Sequence, residues 1–446
     1  MKVFISVPLG FCVRNIMRSK VWDNLISSGN ELVVFSPMSN DERFVKEFGH
    51  SNVSFKELYH QDYFSNKNVF KKVFRLFQYM VHLTNPKTST MKIKKKCFCK
   101  NIIRELIIGL ISFFNKTELI SLIVKSIDNI LIDKRYLKIF EEEKPVMIIS
   151  THPFNVDEIE FLKIAKKKMV KIVSCILSWD NMTSKGDLVV RPDKLLVWNK
   201  IMKSEASFIH DYRSTWDVII TGPPQYDYYY NNSFKKWDKK RKVIVYATVT
   251  PTIFGHDKEV IRIIISAMKK GIIPLCDLII RPHPKDDINL YSEFKKEEMV
   301  TLQAPGDHSN EFLDGWNPST KNVLNLGETL FNVDLLINVN STISIDSIIF
   351  GTPVINICFD GYKELKYCDS IRRYYDYNHF SDLMSFNATL IAKTEKDLIK
   401  HINTLLINPE LKRKEMNNLL INEVMFFDGL SSDRISKALL EETKSV

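Results

Sequence analysis

Arg281 and His283 stand two residues apart at the end of the apolar run Leu278–Ile280, and a proline follows each. Pro282 and Pro284 restrict the backbone, so the imidazole direction is largely set before any ligand arrives. A forked cation and a stiffly held imidazole suit an anionic ligand. Two further strand-like runs end in compatible groups. Thr248 and Thr250 follow "KVIVYA", while Asn340, Ser341 and Thr342 follow "DLLINV" and open a helix. A helix start presents free N–H groups, and hydroxyls there add donors to the same anion. Asp346 falls one turn after Thr342, where its carboxylate can accept from ribose hydroxyls, and Asp360 ends the next strand-like run. Singly, a Ser or Thr at a helix start is usually an N-cap; the convergence is what points to a phosphate.

The first half of the chain has its own polar loop, "SWDNMTSKG", after the apolar run "KIVSCIL". Asp180 there is a candidate general base for an acceptor hydroxyl, and His152, after "VMIIS", competes for that role. Arg14, Asn15, Trp179, Asn181 and Lys185 join them as acceptor-side candidates. No G-x-S-x-G, Walker loop, G-x-G-x-x-G or H-E-x-x-H occurs. The D-x-D carboxylate pair of metal-nucleotide sites is also missing, so no catalytic metal or cofactor is expected.

These residues need a scaffold, and the pattern supplies one. The chain of 446 residues is 45% hydrophobic and too long for one core. Apolar strand-like runs alternate with helical periods from Met1 and resume after "PVMIIS", as doubly wound domains require. The expected organisation is an α/β fold of two tandem Rossmann-like domains. Residues 1–222 form the acceptor domain, 223–242 a linker and hinge, and 243–446 the nucleotide domain with a final helix crossing back. A helix is expected after Gly327. Met1 to Val7 lacks the basic start of a signal peptide.

The net charge of +10 belongs to one segment. Between Asp62 and Phe140, 16 Lys or Arg face 5 Asp or Glu, so the rest of the chain is close to neutral. This basic insertion, 62–140, is helical in pattern, and its apolar centre is too short to span a bilayer. Either it lies on an anionic membrane surface or it packs as a solvated insertion on its own domain. Confinement of the charge away from the phosphate-type residues argues against nucleic acid. The seven scattered cysteines show no zinc or disulfide spacing and read as buried thiols of a cytoplasmic protein.

"RPHP" followed by "NVNSTISIDSIIFGTPVINICFD" resembles the donor half of GT-B bacterial surface-polysaccharide transferases, a group containing teichoic-acid glycerophosphotransferases, capsule and lipopolysaccharide transferases and bacterial sialyltransferases. "SWDNMTSKG", "RNIMRSKVWDNLISSG" and the terminal "FFDGLSSDRI" are similar to elements of the same group. The resemblance implies that His283 is a nucleotide ligand and that Ser341 and Thr342 are phosphate ligands. It implies a cytoplasmic glycosyltransferase with a nucleotide sugar and a glycan or lipid-linked glycan as partners; a peripheral place on the inner face of the cytoplasmic membrane is the membrane alternative for the 62–140 insertion, which the resemblance does not cover. The acidic tripeptide of sialyltransferases is missing before the linker, which argues against a sialyl donor and leaves Asp180 chosen by position alone. Rival readings are a CDP-polyol phosphotransferase, a sugar-nucleotide epimerase and a non-catalytic binder of membrane or nucleic acid.

Overall fold

The structure, a computed structural model, describes residues 1–60, 69–116, 119–212, 217–306, 312, 315–339 and 341–444. It divides into two compact units, Met1–Pro224 with Leu430–Val446, and Gln225–Gly429.

The first unit is built on seven parallel strands: β1 (Lys2–Ser6), β2 (Glu31–Ser36), β3 (Val53–Glu57), β4 (Met147–Ser150), β5 (Lys171–Cys175), β6 (Lys194–Val197) and β7 (Val218–Ile220). Their order is β3-β2-β1-β4-β5-β6-β7. Helices cover both faces, which is why β1, β2, β4 and β6 read as largely continuous apolar runs rather than alternating ones, while the edge strand β3 alternates. Phe4, Phe35 and Phe161 meet at ring distances of 4.6 to 6.1 Å in the core. Helix α1 (Lys20–Ser27) starts at Ser19, whose side chain accepts from the Val21 N–H. Between β3 and β4 lie α2 (Val69–Thr84), α3 (Ser89–Phe98), α4 (Ile102–Phe114) and α5 (Leu119–Ile130). These make up most of the predicted insertion; its residues 62–68, 117 and 118 lie outside the described ones. After β4 comes α6 (Val156–Lys167), capped by the Asn155 side chain.

The insertion is fastened to its own unit by a paired charge network. Arg75 of α2 reaches Asp128 at 2.7 Å and Glu160 of α6 at 2.8 Å, and Lys163 reaches the same two carboxylates at 2.7 and 2.9 Å. Two cations and two carboxylates offset the desolvation that any one would suffer alone.

The second unit has six parallel strands: β8 (Val243–Ala247), β9 (Asp277–Arg281), β10 (Val300–Leu302), β11 (Leu335–Asn338), β12 (Val354–Ile357) and β13 (Leu390–Ala392), ordered β10-β9-β8-β11-β12-β13. Relative to the first strand of each unit the order is the same, so each sheet has one switch point, at β1/β4 and at β8/β11. Helix α7 (Thr320–Asn332) begins seven residues before Gly327, because Ser319 and Asn322 form a capping box. Gly327 lies inside it for a steric reason: a Cβ there would stand 2.7 Å from the Phe234 ring. Helix α8 (Ile343–Ile349) follows β11, and α9 (Ser431–Lys444) belongs to the first unit, where Asn24 of α1 donates to Asp433 and Ser436, each at 3.1 Å.

The stretch read as a hinge is mostly anchored. Trp237 donates its backbone N–H to Asn332 at 2.9 Å, and Lys239 reaches the Asn332 carbonyl at 2.6 Å and Asp334 at 2.8 Å. Residues 225–242 are therefore part of the second unit.

Candidate functional site

In open parallel sheets the ligand sits beyond the carboxyl ends of the strands, at the switch point. In the second unit Thr248 and Thr250 leave β8, Arg281 and His283 leave β9, and Ser341 and Thr342 leave β11. Asn340 lies outside the described residues.

The His283 turn is held from below. Thr248 Oγ1 accepts the His283 backbone N–H at 2.8 Å and lies 3.4 Å from Asp286, which also accepts from the Tyr291 hydroxyl at 2.5 Å. Thr248 is thus buried scaffolding rather than a presented ligand. The Lys285 backbone N–H donates to His283 Nδ1 at 3.0 Å. That assigns the ring proton to Nε2 and leaves it as a donor of fixed identity. Burial, assisted by the Lys285 charge, lowers the imidazole to about 4. His283 is therefore neutral at physiological pH.

Arg281 is committed differently from the expectation. It donates to Gln303 at 2.8 Å and to the carbonyls of Ala304 and Pro305 at 3.3 and 3.0 Å, and burial lowers its guanidinium to about 10. Its charge still contributes to the field, with Tyr229 and Asp346 opposing the shift. Asp346 accepts the Tyr229 hydroxyl at 2.7 Å, so this carboxylate has a protein partner. Asp360 closes its own loop, accepting from Ile371 N at 2.9 Å and Leu365 N at 3.3 Å.

Ser341 and Thr342 are half-buried at the start of α8, with Ser341 Oγ 3.5 Å from Ile343 N. A fully buried polar cluster supports this turn: Asn356 donates to Asn338 at 3.2 Å and to Ser344 at 3.1 Å. The sequence carried a signal for it, one asparagine inside each of two otherwise apolar strands. Thr250 is half-buried, 3.2 Å from Thr252. Beside it is a polar cavity of about 220 Å³, lined by the 251–256 segment, Asp360, Leu365, Asp369 and Arg373. Among the described residues the Arg373 Nε is buried without a hydrogen-bond partner, on a side chain that lines this cavity. Sequence reasoning missed it, since "IRRYY" reads as an ordinary helix surface.

In the first unit three strand ends converge. The Asn15 amide donates to the Leu177 carbonyl at 3.3 Å, joining the loop after β1 to the loop after β5, while Arg14 donates to Asn15 at 2.7 Å. The Phe11 ring meets His152 edge-on at 5.4 Å, and the Asn181 amide is 3.4 Å from His152 Nδ1. Burial, then the Lys185 charge, lowers His152 to about 3. Trp179 is buried, at 8% exposure, so it supports the loop rather than offering a stacking face. Asp180 accepts from Ser178 Oγ at 2.6 Å and Ser184 Oγ at 2.7 Å, with the Lys185 ammonium 3.8 Å away. Its side chain keeps 23% exposure.

Two groups here were not anticipated. Glu158 of α6 accepts the His152 backbone N–H at 3.0 Å, and its complete burial raises the carboxyl to about 8 against the pull of nearby hydroxyls and N–H groups. Lys94 of α3 donates to the Ser184 carbonyl at 2.5 Å, and Thr88 donates to the Thr183 carbonyl at 3.2 Å. Burial, then Lys185, brings the Lys94 amine down to about 8. The insertion thus reaches the Asp180 loop directly. A cavity of about 380 Å³ adjoins it, with Lys185, Gly186 and Phe154 on one side and Tyr79, His82 and Val124 of the insertion on the other. Among the described residues no cluster of His, Cys, Asp or Glu is arranged to hold a metal ion.

Two Rossmann-like sheets of seven and six strands in tandem are a GT-B fold. No protein-family model matches the chain, and no curated protein matches it in sequence. Solved structures do share the fold. The MnaA–UDP co-structure from S. aureus aligns with a TM-score of 0.56 at 10% identity, covering 100% of this chain and 97% of that one. The UDP-GlcNAc 2-epimerase of Methanocaldococcus jannaschii, in complex with UDP-GlcNAc and UDP, aligns at 0.51 with 12% identity, covering 99% and 100%. The lipopolysaccharide outer core galactosyltransferase WaaB is more distant, at 0.47 with 13% identity over 99% and 100%. At these identities the likeness is one of fold.

Proposed function

We propose that this chain is a metal-independent glycosyltransferase that moves a sugar from a nucleotide-activated donor to a hydroxyl of a surface-glycan or lipid-linked acceptor. The donor nucleotide binds at the switch point of the second unit. The His283 Nε2–H, the start of α8 at Ser341 and Thr342, and the Arg373 Nε are donors suited to its phosphates. In the reaction the acceptor oxygen bonds to the anomeric carbon, the bond from that carbon to the phosphate oxygen breaks, and the nucleoside phosphate leaves with the electron pair. Asp180 takes the acceptor proton. Of the two candidate bases it is the better placed to meet an acceptor, because its side chain keeps 23% exposure whereas His152 is buried.

The observation that carries transfer is the separate polar site in the first unit. His152 meets Asn181 there and Asp180 meets Lys185, and of these four Lys185 also lines a cavity of about 380 Å³, room for a second substrate. A sugar-nucleotide epimerase is the second reading, favoured by the fold likeness to the M. jannaschii epimerase. Incubation with a panel of UDP-, CDP-, GDP- and dTDP-sugars distinguishes the two. Transfer predicts nucleotide release that rises when a glycan acceptor is added. An epimerised sugar nucleotide formed without acceptor would replace transfer by the second reading.

A further inference from the structure

The inner faces of the insertion are accounted for. Phe74, Val81, Ile111 and Val124 form one buried cluster, Leu83, Met91 and Ile108 another, and the Arg75–Asp128–Glu160–Lys163 network joins the insertion to α6. Among the described residues the outer faces are exposed. On α4, Ile102, Leu106, Leu110 and Phe113 recur at helical spacing on one stripe, and all are at least 60% exposed. Leu122 and Ile130 on α5 and Phe70 and Val73 on α2 are also more than half exposed. More than half of the large hydrophobic side chains exposed among the described residues belong to these helices. That is far beyond the isolated apolar groups a soluble surface ordinarily carries.

Cations accompany the stripe. Lys92, Lys96, Lys100, Arg104, Lys116 and Lys125 are all exposed, whereas Glu105 is the one acid on α3 and α4. No single helix among the described residues is long and apolar enough to cross a membrane. We infer that the insertion docks on an anionic phospholipid leaflet, with the apolar faces of α4 and α5 entering the acyl boundary and the lysines at the headgroups. Charge selects this occupant. A second copy meeting the same face would set one cationic rim against another, whereas anionic lipid neutralises it. Lys94 and Thr88 tie the docked insertion to Ser184 and Thr183, so attachment holds the Asp180 loop to the membrane-bound body.

The test is flotation of the full chain with phosphatidylglycerol-containing vesicles and with pure phosphatidylcholine vesicles, at low and high salt. The triple variant Leu106→Asp, Leu110→Asp, Phe113→Asp changes only exposed side chains, and its fold is checked by circular dichroism. A second variant, Lys96→Glu, Lys100→Glu, Lys116→Glu, leaves the apolar stripe intact. The wild type should float with anionic vesicles and weaken in salt, and the charge variant should lose on the order of a hundredfold in affinity. The aspartate variant should lose flotation while remaining folded. Absence of flotation by the wild type, undiminished flotation by either variant, or a solution dimer that the aspartate variant dissociates would overturn the inference.

Discussion

Glu158 gives the sharpest test of how the first-unit site is built. Complete burial holds this carboxyl at about 8, above the usual carboxylate value, so it is neutral when folded and ionised when unfolded over most of the physiological range. The sign follows from proton linkage. A folded pKa raised from 4.5 to about 8 leaves stability intact below the unfolded value and removes it as pH rises toward the folded one. Between about pH 5 and about pH 8.5 the loss comes to about 4 kcal/mol, using roughly 1.4 kcal/mol per pKa unit. Glu158→Gln keeps the shape and an acceptor for the His152 N–H but cannot ionise. At roughly 2–4 °C per kcal/mol for a unit of this size, the variant should gain on the order of 10 °C on the wild type between those two pH values. Thermal unfolding of both proteins across that range, followed by calorimetry, measures the difference. Parallel curves would mean that Glu158 is ionised in the native state, and the description of a neutral carboxyl beneath His152 would be wrong.

Other outcomes follow from the same geometry. His283→Ala should weaken nucleotide binding roughly 10- to 100-fold, the range for one hydrogen bond to a charged group, in titration calorimetry. With the ring lowered to about 4, His283 should introduce no pH dependence of binding near neutrality. Arg281→Ala should destabilise the second unit by about 2–4 kcal/mol by releasing the 303–305 segment, read as a lower calorimetric midpoint of that unit. Asp180→Asn should retain nucleotide affinity but slow transfer by about 10²- to 10⁴-fold; a fully active variant removes Asp180 as the base.

Much of the fold is legible in the residues because both faces of each sheet are covered. "VMIIS", "KIVSC" and "KVIVYA" must then be apolar throughout, and they alternate with helical periods. The row of residues after each strand was readable for the same topological reason. Their roles were harder to read, because a side chain's partners come from distant sequence. Thr248 resembles a phosphate ligand until it is seen accepting the His283 N–H, 35 residues away. Arg281 resembles a free cation until Ala304 and Pro305 supply their carbonyls. Lys94 stands in a run of lysines, yet it donates to Ser184, 90 residues on. Tyr229 and Trp237 sat in a stretch without helical or strand period, and only packing against the second unit gives them a place. The basic insertion posed a choice between membrane surface and domain packing; its inner faces pack on the domain, and only the outer faces are left for a membrane.

The most direct measurement is a crystal structure of the chain with the nucleoside diphosphate that gives the largest thermal stabilisation among UDP, CDP, GDP and dTDP. Its phosphates should lie at the β8/β11 switch point, with an oxygen within hydrogen-bond distance of His283 Nε2. A nucleotide bound away from β8, β9 and β11, or no stabilisation by any of the four, would contradict it.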